Sequence, residues 1–531
     1  MNKKVVVVGG GLAGISAAIR LARMGFKVQV FEKNSMVGGK MGEVKMGGFR
    51  FDTGPSLLTM PFVIDELFFF AGLQRSALLD FIPVEPICRY FYPDGTRLNT
   101  FSDHQNMMAE LQEKMPGQEK AFEDFMKHSR NIYDLAAGVF LFTPFQEMRK
   151  LFRKEHFPAF FKIHRLDAMK TMHRSISEYF SDDRLVQLFD RYATYNGSNP
   201  FQAPATLNII PYAEYGLGAY YIRGGMYRLA ETLEMIARNM GVEIHTSAPV
   251  EKILHAKQRI TGVRVNGEII TTEYVLCNAD VVEAHNHLLD GVERRAARLN
   301  KLEPSLSGMV FLWGMDRKFP ELAHHNILFS SDYQREFSQI FDDLQAPDDP
   351  TVYISITSKT DPEHAPQNGE NWFILLNMPY LSGKQNWGAE VNRMRSRILE
   401  KMQRYGLEAE SHITMEKVLT PQDLYNLYRS NRGSIYGISS NSRMTAFKRP
   451  ANRSRDINGL YFAGGSAHPG GGIPLVLLSG KMAAELISEA EGINLENIRS
   501  RHHPASPKMV FRSKVSTFEE IENPHYIPMK K

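Results

Sequence analysis

The stretch that most constrains this chain is its opening, KKVVVVGGGLAGISAAIRLARMG. The valines of Lys4–Val8 suit a strand buried on both faces of a parallel sheet. Gly9, Gly11 and Gly14 follow as G-x-G-x-x-G, and Ile15, Ala18, Ile19 and Ala22 then recur at helical spacing. Gly25 ends that helix, and Lys27–Phe31 leads into a second strand finishing at Glu32. A strand–turn–helix–strand unit of this kind predicts a dinucleotide site. Its glycines let the backbone approach a pyrophosphate, and the helix N-terminus offers free N–H groups and positive potential. Glu32 stands where an acid accepts hydrogen bonds from ribose hydroxyls. A mere glycine-rich turn beside a solvated glutamate would leave the three-glycine run unexplained.

The next segment, NSMVGGKMGEVKMGGFRFDTGPSLLTMP, points to FAD rather than NAD. Gly38 and Gly39, followed by the cation Lys40, can support a second phosphate along an extended cofactor, and Gly54 lies in a tight Asp52–Pro55 turn. No second G-x-G-x-x-G exists to bind a nicotinamide nucleotide. Near the other end, GLYFAGGSAHPGGGIPLVLLSGKMAAELI reads as a short strand, a glycine loop through Gly464, Gly465 and Gly472, and a helix beginning at Ile473 or Pro474. A second helix N-terminus aimed at the cofactor would stabilise negative charge on a reduced flavin ring. Between these ends, Asn266-Gly267 signals a hairpin, Val250 is positioned for a backbone contact to adenine, and Asn278-Ala279-Asp280 ends a strand beneath the cofactor.

The chain resembles the bacterial phytoene-desaturase-type carotenoid desaturases, within the wider FAD-dependent amine-oxidase-like group. The matching stretches are VVVVGGGLAGISAAIRLA, FEKNSMVGGKMG, GFRFDTGPSLLTMP, RYATYNGSNPFQAPATLNIIPYAEYGLGAYYIRGGM and LYFAGGSAHPGGGIPLVLLSGK, and the resemblance runs to about residue 490. It implies an α/β fold: an FAD-binding Rossmann-like domain of glutathione-reductase type, a mixed-sheet substrate domain and a helical, membrane-facing cap. The expected boundaries are 1–82, 220–292 and 430–495 for the FAD domain. The substrate domain takes 83–101 and 293–429, the cap 102–215, and a partly disordered tail 496–531. The resemblance further implies desaturation of an acyclic carotenoid, phytoene or a 1-hydroxycarotenoid, by hydride transfer to flavin N5. RYATYNGS and SGMVFLWGM look like the branch that inserts a 3,4 double bond into 1-hydroxycarotenoids.

Loss of hydride from such a substrate leaves a cation spread over the polyene, which predicts a site poor in catalytic side chains, with the protein orienting the substrate. A proton acceptor is still needed, and the candidates are His468, in SAHPGGG, and Arg191, beside Tyr195 in the tunnel segment. No metal-spaced His/Cys cluster is present, and His502 and His503 make no adequate site. Two cysteines, Cys88 and Cys277, form no disulfide framework.

A carotenoid must be collected from a bilayer. In Phe140–Arg174, Phe140, Phe142, Phe145, Phe152, Phe157, Phe160 and Phe161 interleave with Arg149, Lys150, Arg153, Lys154, Lys162, Arg165, Lys170 and Arg174. That pattern predicts peripheral attachment to an anionic membrane surface, on the cytoplasmic side of the cell membrane. The N-terminal valine run is broken by glycines and is not a secretion signal, and no stretch approaches the about 20 apolar residues of a spanning helix. A net charge of +4 by itself argues neither for nor against nucleic acid, which fits less well because the clustered basic residues are confined to that one segment, 140–174. The oligomeric state is left open. Competing readings are a flavin-dependent carotenoid isomerase, a terminal-methyl oxidase, a membrane flavoprotein without turnover, and a soluble amine oxidase.

Overall fold

A computed structural model describes residues 3–143, 167, 169–442 and 449–493. The tail and most of the cationic aromatic segment lie outside the described residues.

The opening strand, Lys4–Val8, is central to a five-stranded parallel sheet. Lys27–Phe31 and Tyr274–Cys277 flank it, and Glu243–His245 and Leu460–Phe462 form the edges. Val5, Val6 and Val7 are fully buried, as a strand covered on both faces requires. The helix Leu12–Arg23 covers one face and packs against the helix Ile473–Ala490. Gly480 permits this crossing, because a Cβ there would lie 2.4 Å from the Ala13 carbonyl oxygen. At the same junction the buried Arg20 pairs with Glu66, and Lys481 Nζ reaches Glu66 Oε1 at 3.0 Å. One carboxylate thus ties together three helices distant in the chain. Its pKa is lowered by the two cations although burial pushes the other way.

The second body is a seven-stranded mixed sheet. Its order is Ile413–Leu419, Ser307–Met315, Glu370–Met378, Val352–Ser355, His325–Leu328, Cys88–Phe91 and Arg97–Thr100. Every residue of Ser307–Met315 is buried, which accounts for its continuous apolar run. A three-stranded antiparallel meander starts at Val250–Ala256, and its Asn266-Gly267 turn has φ of +50° and +79°, the left-handed pair such a hairpin needs. The described residues between 102 and 215 supply helices, among them His104–Lys114, Glu119–Ala136 and Asp183–Asp190. Phe122, Phe125, Phe180 and Phe189 form their shared core, with the Phe125 and Phe189 ring centroids 4.5 Å apart. Among the described residues, no helix is long and apolar enough to cross a membrane.

Candidate active site

A single cavity of about 880 Å³ joins the two bodies. One end is built from glycine loops. Gly9, Gly11, Glu32, Gly39, Lys40, Gly54, Val250, Gly464, Gly465, Gly472 and Ile473 all line it, although they come from five separate parts of the chain. Gly14 does not line it. It is buried in the first helix, where a Cβ would lie 2.3 Å from the Gly9 carbonyl oxygen, so its role is close packing of turn and helix.

Asn278 holds the two glycine loops together. Its Oδ1 accepts from the Gly14 N–H at 3.2 Å and its Nδ2 donates to the Ala463 carbonyl at 2.9 Å. Side chains at Gly11 or Gly464 would collide with it, since a Cβ at either would sit 2.6 Å from Asn278 Oδ1 or Nδ2 respectively. Glu32 is fixed at both oxygens, Oε2 accepting from the Gly10 N–H and Oε1 from the Asn34 N–H, each at 2.8 Å. At Gly472, with φ of +98°, a Cβ would meet nothing within 4 Å, and the helix that follows opens toward the cavity through Ile473 and Pro474.

Lys40 turns its Nζ to the Ser434 carbonyl at 3.2 Å and to the Ile435 carbonyl. Burial pulls its pKa down to about 8, opposed by the charge of Asp280. Lys40 therefore anchors the 434–435 strap to the cradle. Gly54 is equally constrained: a Cβ there would stand 1.9 Å from the Lys40 carbonyl oxygen. These features fit an extended flavin dinucleotide: a glycine-lined trough, an acid at one end and a helix N-terminus at the other.

From the cradle the cavity runs across the face of the mixed sheet. Strand pairing aligns Val310, Leu375, Tyr353, Ile327 and Tyr90 in one cross-sheet row. The first four line the cavity, and the row spans about 19 Å at the usual strand spacing of about 4.8 Å. Phe373 and Leu57 add to this apolar floor. Tyr353 is hydrogen-bonded to Ser56 Oγ at 2.5 Å and to His325 Nδ1 at 2.8 Å.

At the far side stands a buried charged group. Arg191 Nη2 donates to Tyr90 OH at 2.8 Å and Nη1 to Tyr195 OH at 3.3 Å. Tyr192 and Tyr195 donate in turn to Glu214 at 2.7 and 2.6 Å, and Arg191 lies 3.6 Å from that carboxylate. Burial works against the guanidinium charge, but the tyrosine oxygens and Glu214 outweigh it and hold the pKa well above its ordinary value. Arg191 thus reaches the cavity wall as a fixed cation, unsuited to accept a proton.

His468 corrects the motif-based expectation more sharply. It does not line the cavity. It is 2% exposed and its Nε2 lies 2.9 Å from the Thr143 carbonyl oxygen, so that nitrogen carries a proton and donates it there. Burial pushes its pKa down to about 4. Its task is to tie the glycine loop to the cap. Arg449 does similar work, donating to the carbonyls of Gly465 at 2.6 Å and Ile438 at 3.0 Å.

Sequence reasoning did not single out Glu214, His325, Tyr333, Tyr353 or Arg449. A lone acid in the aromatic run YAEYGLGAYY was the one available signal for Glu214. Cys88 and Cys277 are buried thiols whose pKa values burial pushes up to about 12. Among the described residues, no cluster of His, Cys, Asp and Glu could hold a metal.

Comparisons with known proteins agree with this geometry. The model of the family described as "Flavin containing amine oxidoreductase" matches residues 12–488. A 1-hydroxycarotenoid 3,4-desaturase of Flavobacterium sp. (strain P99-3) is 41% identical over 488 residues, covering 91% of this chain and 99% of its own. A 4,4'-diapolycopene oxygenase of Methylomonas sp. is 37% identical over 493 residues, covering 92% and 98%. The crystal structure of an oxidoreductase from Methanosarcina mazei superposes with a TM-score of 0.61 at 16% identity, over 91% of this chain and 100% of its own, a likeness of fold. The glycine cradle, the cavity beyond it and these matches together place the chain in the flavin-containing amine oxidoreductase family, on its carotenoid desaturase and oxygenase branch, as an FAD-dependent oxidoreductase.

Proposed function

We propose that this enzyme desaturates an acyclic carotenoid, the hydride and the proton lost from adjacent saturated carbons being balanced overall by the two-electron, two-proton reduction of the FAD that the cradle would hold. The observation that carries the proposal is the single cavity that begins between two glycine loops and continues over an apolar sheet face. FAD, when bound, supplies a hydride acceptor. Gly9, Gly11, Glu32, Lys40, Val250, Gly464 and Gly472 would hold it. Val310, Phe373, Leu375 and Ile327 give a polyene a straight apolar bed, which fixes the reacting carbons and excludes water. No cavity-lining group is needed to stabilise the cation, because the conjugated chain spreads that charge.

We further propose that the protein takes its substrate from an anionic bilayer, peripherally and on the cytoplasmic side. The lipid solubility of the substrate and the interleaved aromatic and cationic residues of 140–174 support this. The relatives' names divide between desaturase and oxygenase, so products decide the reaction. Purified holoenzyme is supplied with acyclic carotenoids in anionic and in neutral liposomes. Loss of two hydrogens per step, a red-shifted spectrum and sedimentation with anionic vesicles are expected. Gain of oxygen would assign terminal-methyl oxidation, an unchanged formula would assign isomerisation, and equal partition between vesicle types would overturn the membrane reading.

A further inference from the structure

One wall of the flavin trough is borrowed from the other body. After the mixed-sheet strand Ile413–Leu419 the chain forms the helix Pro421–Tyr428, and Leu427, Tyr428, Arg429 and Ser430 line the cavity. The facing wall is built into the parallel sheet. Lys27–Phe31 is paired along both edges, and the Gly38 N–H donates to the Gly10 carbonyl at 2.8 Å. An extended dinucleotide seated between these walls cannot pass through either. The sheet wall cannot yield without unpairing strands, so the helical wall must.

That wall is built to move as a unit. Its helix starts on a capping box, Thr420 Oγ1 accepting from the Asp423 N–H at 3.3 Å and the Asp423 carboxylate accepting from the Thr420 N–H at 2.8 Å. The far end is pinned to its own body, where the Leu381 N–H donates to the Arg432 carbonyl at 2.8 Å and Ser307 Oγ to the Gly433 carbonyl at 2.7 Å. Arg429 and Arg432 have φ of +48° and +51°, left-handed values that cost a non-glycine residue free energy and that relax if the segment swings free. Little apolar surface holds the helix down, since only Pro421 and Leu424 in it are buried and Leu427 is 39% exposed. Polar side chains do so instead. Lys33 Nζ donates to the carbonyls of Asn426 and Leu427 at 3.2 and 2.5 Å, and Asn34 Nδ2 to the Leu427 carbonyl at 3.1 Å. A cation and an amide thus cap carbonyls that the helix C-terminus leaves unpaired. From the helix, Tyr425 OH donates to Glu283 Oε2 at 3.3 Å. Water can replace each of these partners, so the tethers open without a lasting orphan.

We propose that residues 420–431 are a latch over the flavin trough, held shut by Lys33, Asn34 and Glu283, and that FAD enters and leaves only while it is open. This needs the cradle alone and holds for whichever reaction the enzyme performs on its carotenoid.

The tethers join protein to protein whether or not flavin is present. Loosening them should therefore speed entry and exit alike and leave Kd in place. Exchange of bound FAD for excess isotopically labelled FAD times exit from holoenzyme, and quenching of flavin fluorescence times uptake by the flavin-stripped full chain. In the double variant Lys33→Ala, Asn34→Ala both rates should rise about tenfold, and in Tyr425→Phe about threefold, with Kd changed less than about twofold. Tyr425→Phe tests the latch from the helix side and keeps its ring, so it decides the matter if the double variant fails to fold. Rates equal to wild type, or a change confined to one of the two rates with Kd moving in proportion, overturn the latch.

Discussion

Asn278 offers the sharpest check on how the cradle is held. Asn278→Ala removes both bonds that join the glycine loops, to Gly14 N–H and to the Ala463 carbonyl. Each neutral bond contributes about 0.5–1.5 kcal/mol net, so about 2 kcal/mol of stability should go in the flavin-free protein. If the same amount is lost from the cofactor site, FAD binding weakens about thirtyfold. Asn278→Asp keeps the acceptor facing Gly14 but turns a carboxylate oxygen toward the Ala463 carbonyl. It should fall below the alanine variant by about 1 kcal/mol or more, the cost of an unsatisfied buried charge. The geometry also predicts coupling. Gly11→Ala drives a Cβ to 2.6 Å from Asn278 Oδ1, so its cost should shrink when Asn278 is already alanine. Urea unfolding followed by circular dichroism and titration with FAD measure wild type, the three single variants and the double alanine variant. Additive costs for the two alanine substitutions, or an aspartate variant as stable as wild type, would refute the clamp.

Glu66→Gln should cost about 2–3 kcal/mol at pH 7, somewhat less than for a sealed pair because Glu66 keeps some exposure. Because the folded pKa of Glu66 lies below the ordinary 4.5, the wild-type advantage is complete above that pH and shrinks as the solution is acidified below it; unfolding curves that stay parallel down to pH 3 would contradict this. Gly54→Ala pushes a Cβ to 1.9 Å from a backbone oxygen and should destabilise by about 3 kcal/mol with loss of bound flavin, read by thermal melting and flavin absorbance. His468→Gln should leave the pH profile of kcat unchanged apart from a uniform drop. The wild-type imidazole, depressed from 6.5 to about 4, favours the fold above pH 6.5 and loses that contribution as pH falls toward 4; an acidic limb present in wild type and missing from the variant's rate profile would restore a proton-acceptor role.

The local parts of this architecture are legible in the amino-acid sequence alone. Valines flanked by glycines, Pro474 at the start of a helix and Asn266-Gly267 between strands each act through near neighbours, and the α/β class follows from them. Sheet register is not legible there, because which residues share a cross-strand row depends on pairings far apart in the chain. Tyr90, which bonds Arg191, shares its row with Ile327 and Tyr353 only through that register, and Glu214 meets Arg191 through the packing of two helical turns, Arg191–Asn196 and Tyr212–Gly216. Asn278 can be placed at a strand end, but its amide bridges partners 264 and 185 positions away, which no periodicity reveals. His468 shows the limit of proximity in sequence: it belongs to the right loop, yet its ring turns away from the cavity to a carbonyl of the cap.

The order in which the sheet is threaded has a consequence for synthesis. Strand Lys4–Val8 leaves the ribosome first, but its neighbour Tyr274–Cys277, the clamp at Asn278 and the edge strand Leu460–Phe462 emerge much later. Early N-terminal folding units are usual in nascent chains, but here the first βα unit has no completed trough to offer. FAD capture must therefore await synthesis of the Ile473–Ala490 helix. Polypeptides truncated before the Ile473–Ala490 helix should accumulate without flavin, and flavin supply will act on yield only once that helix has been made.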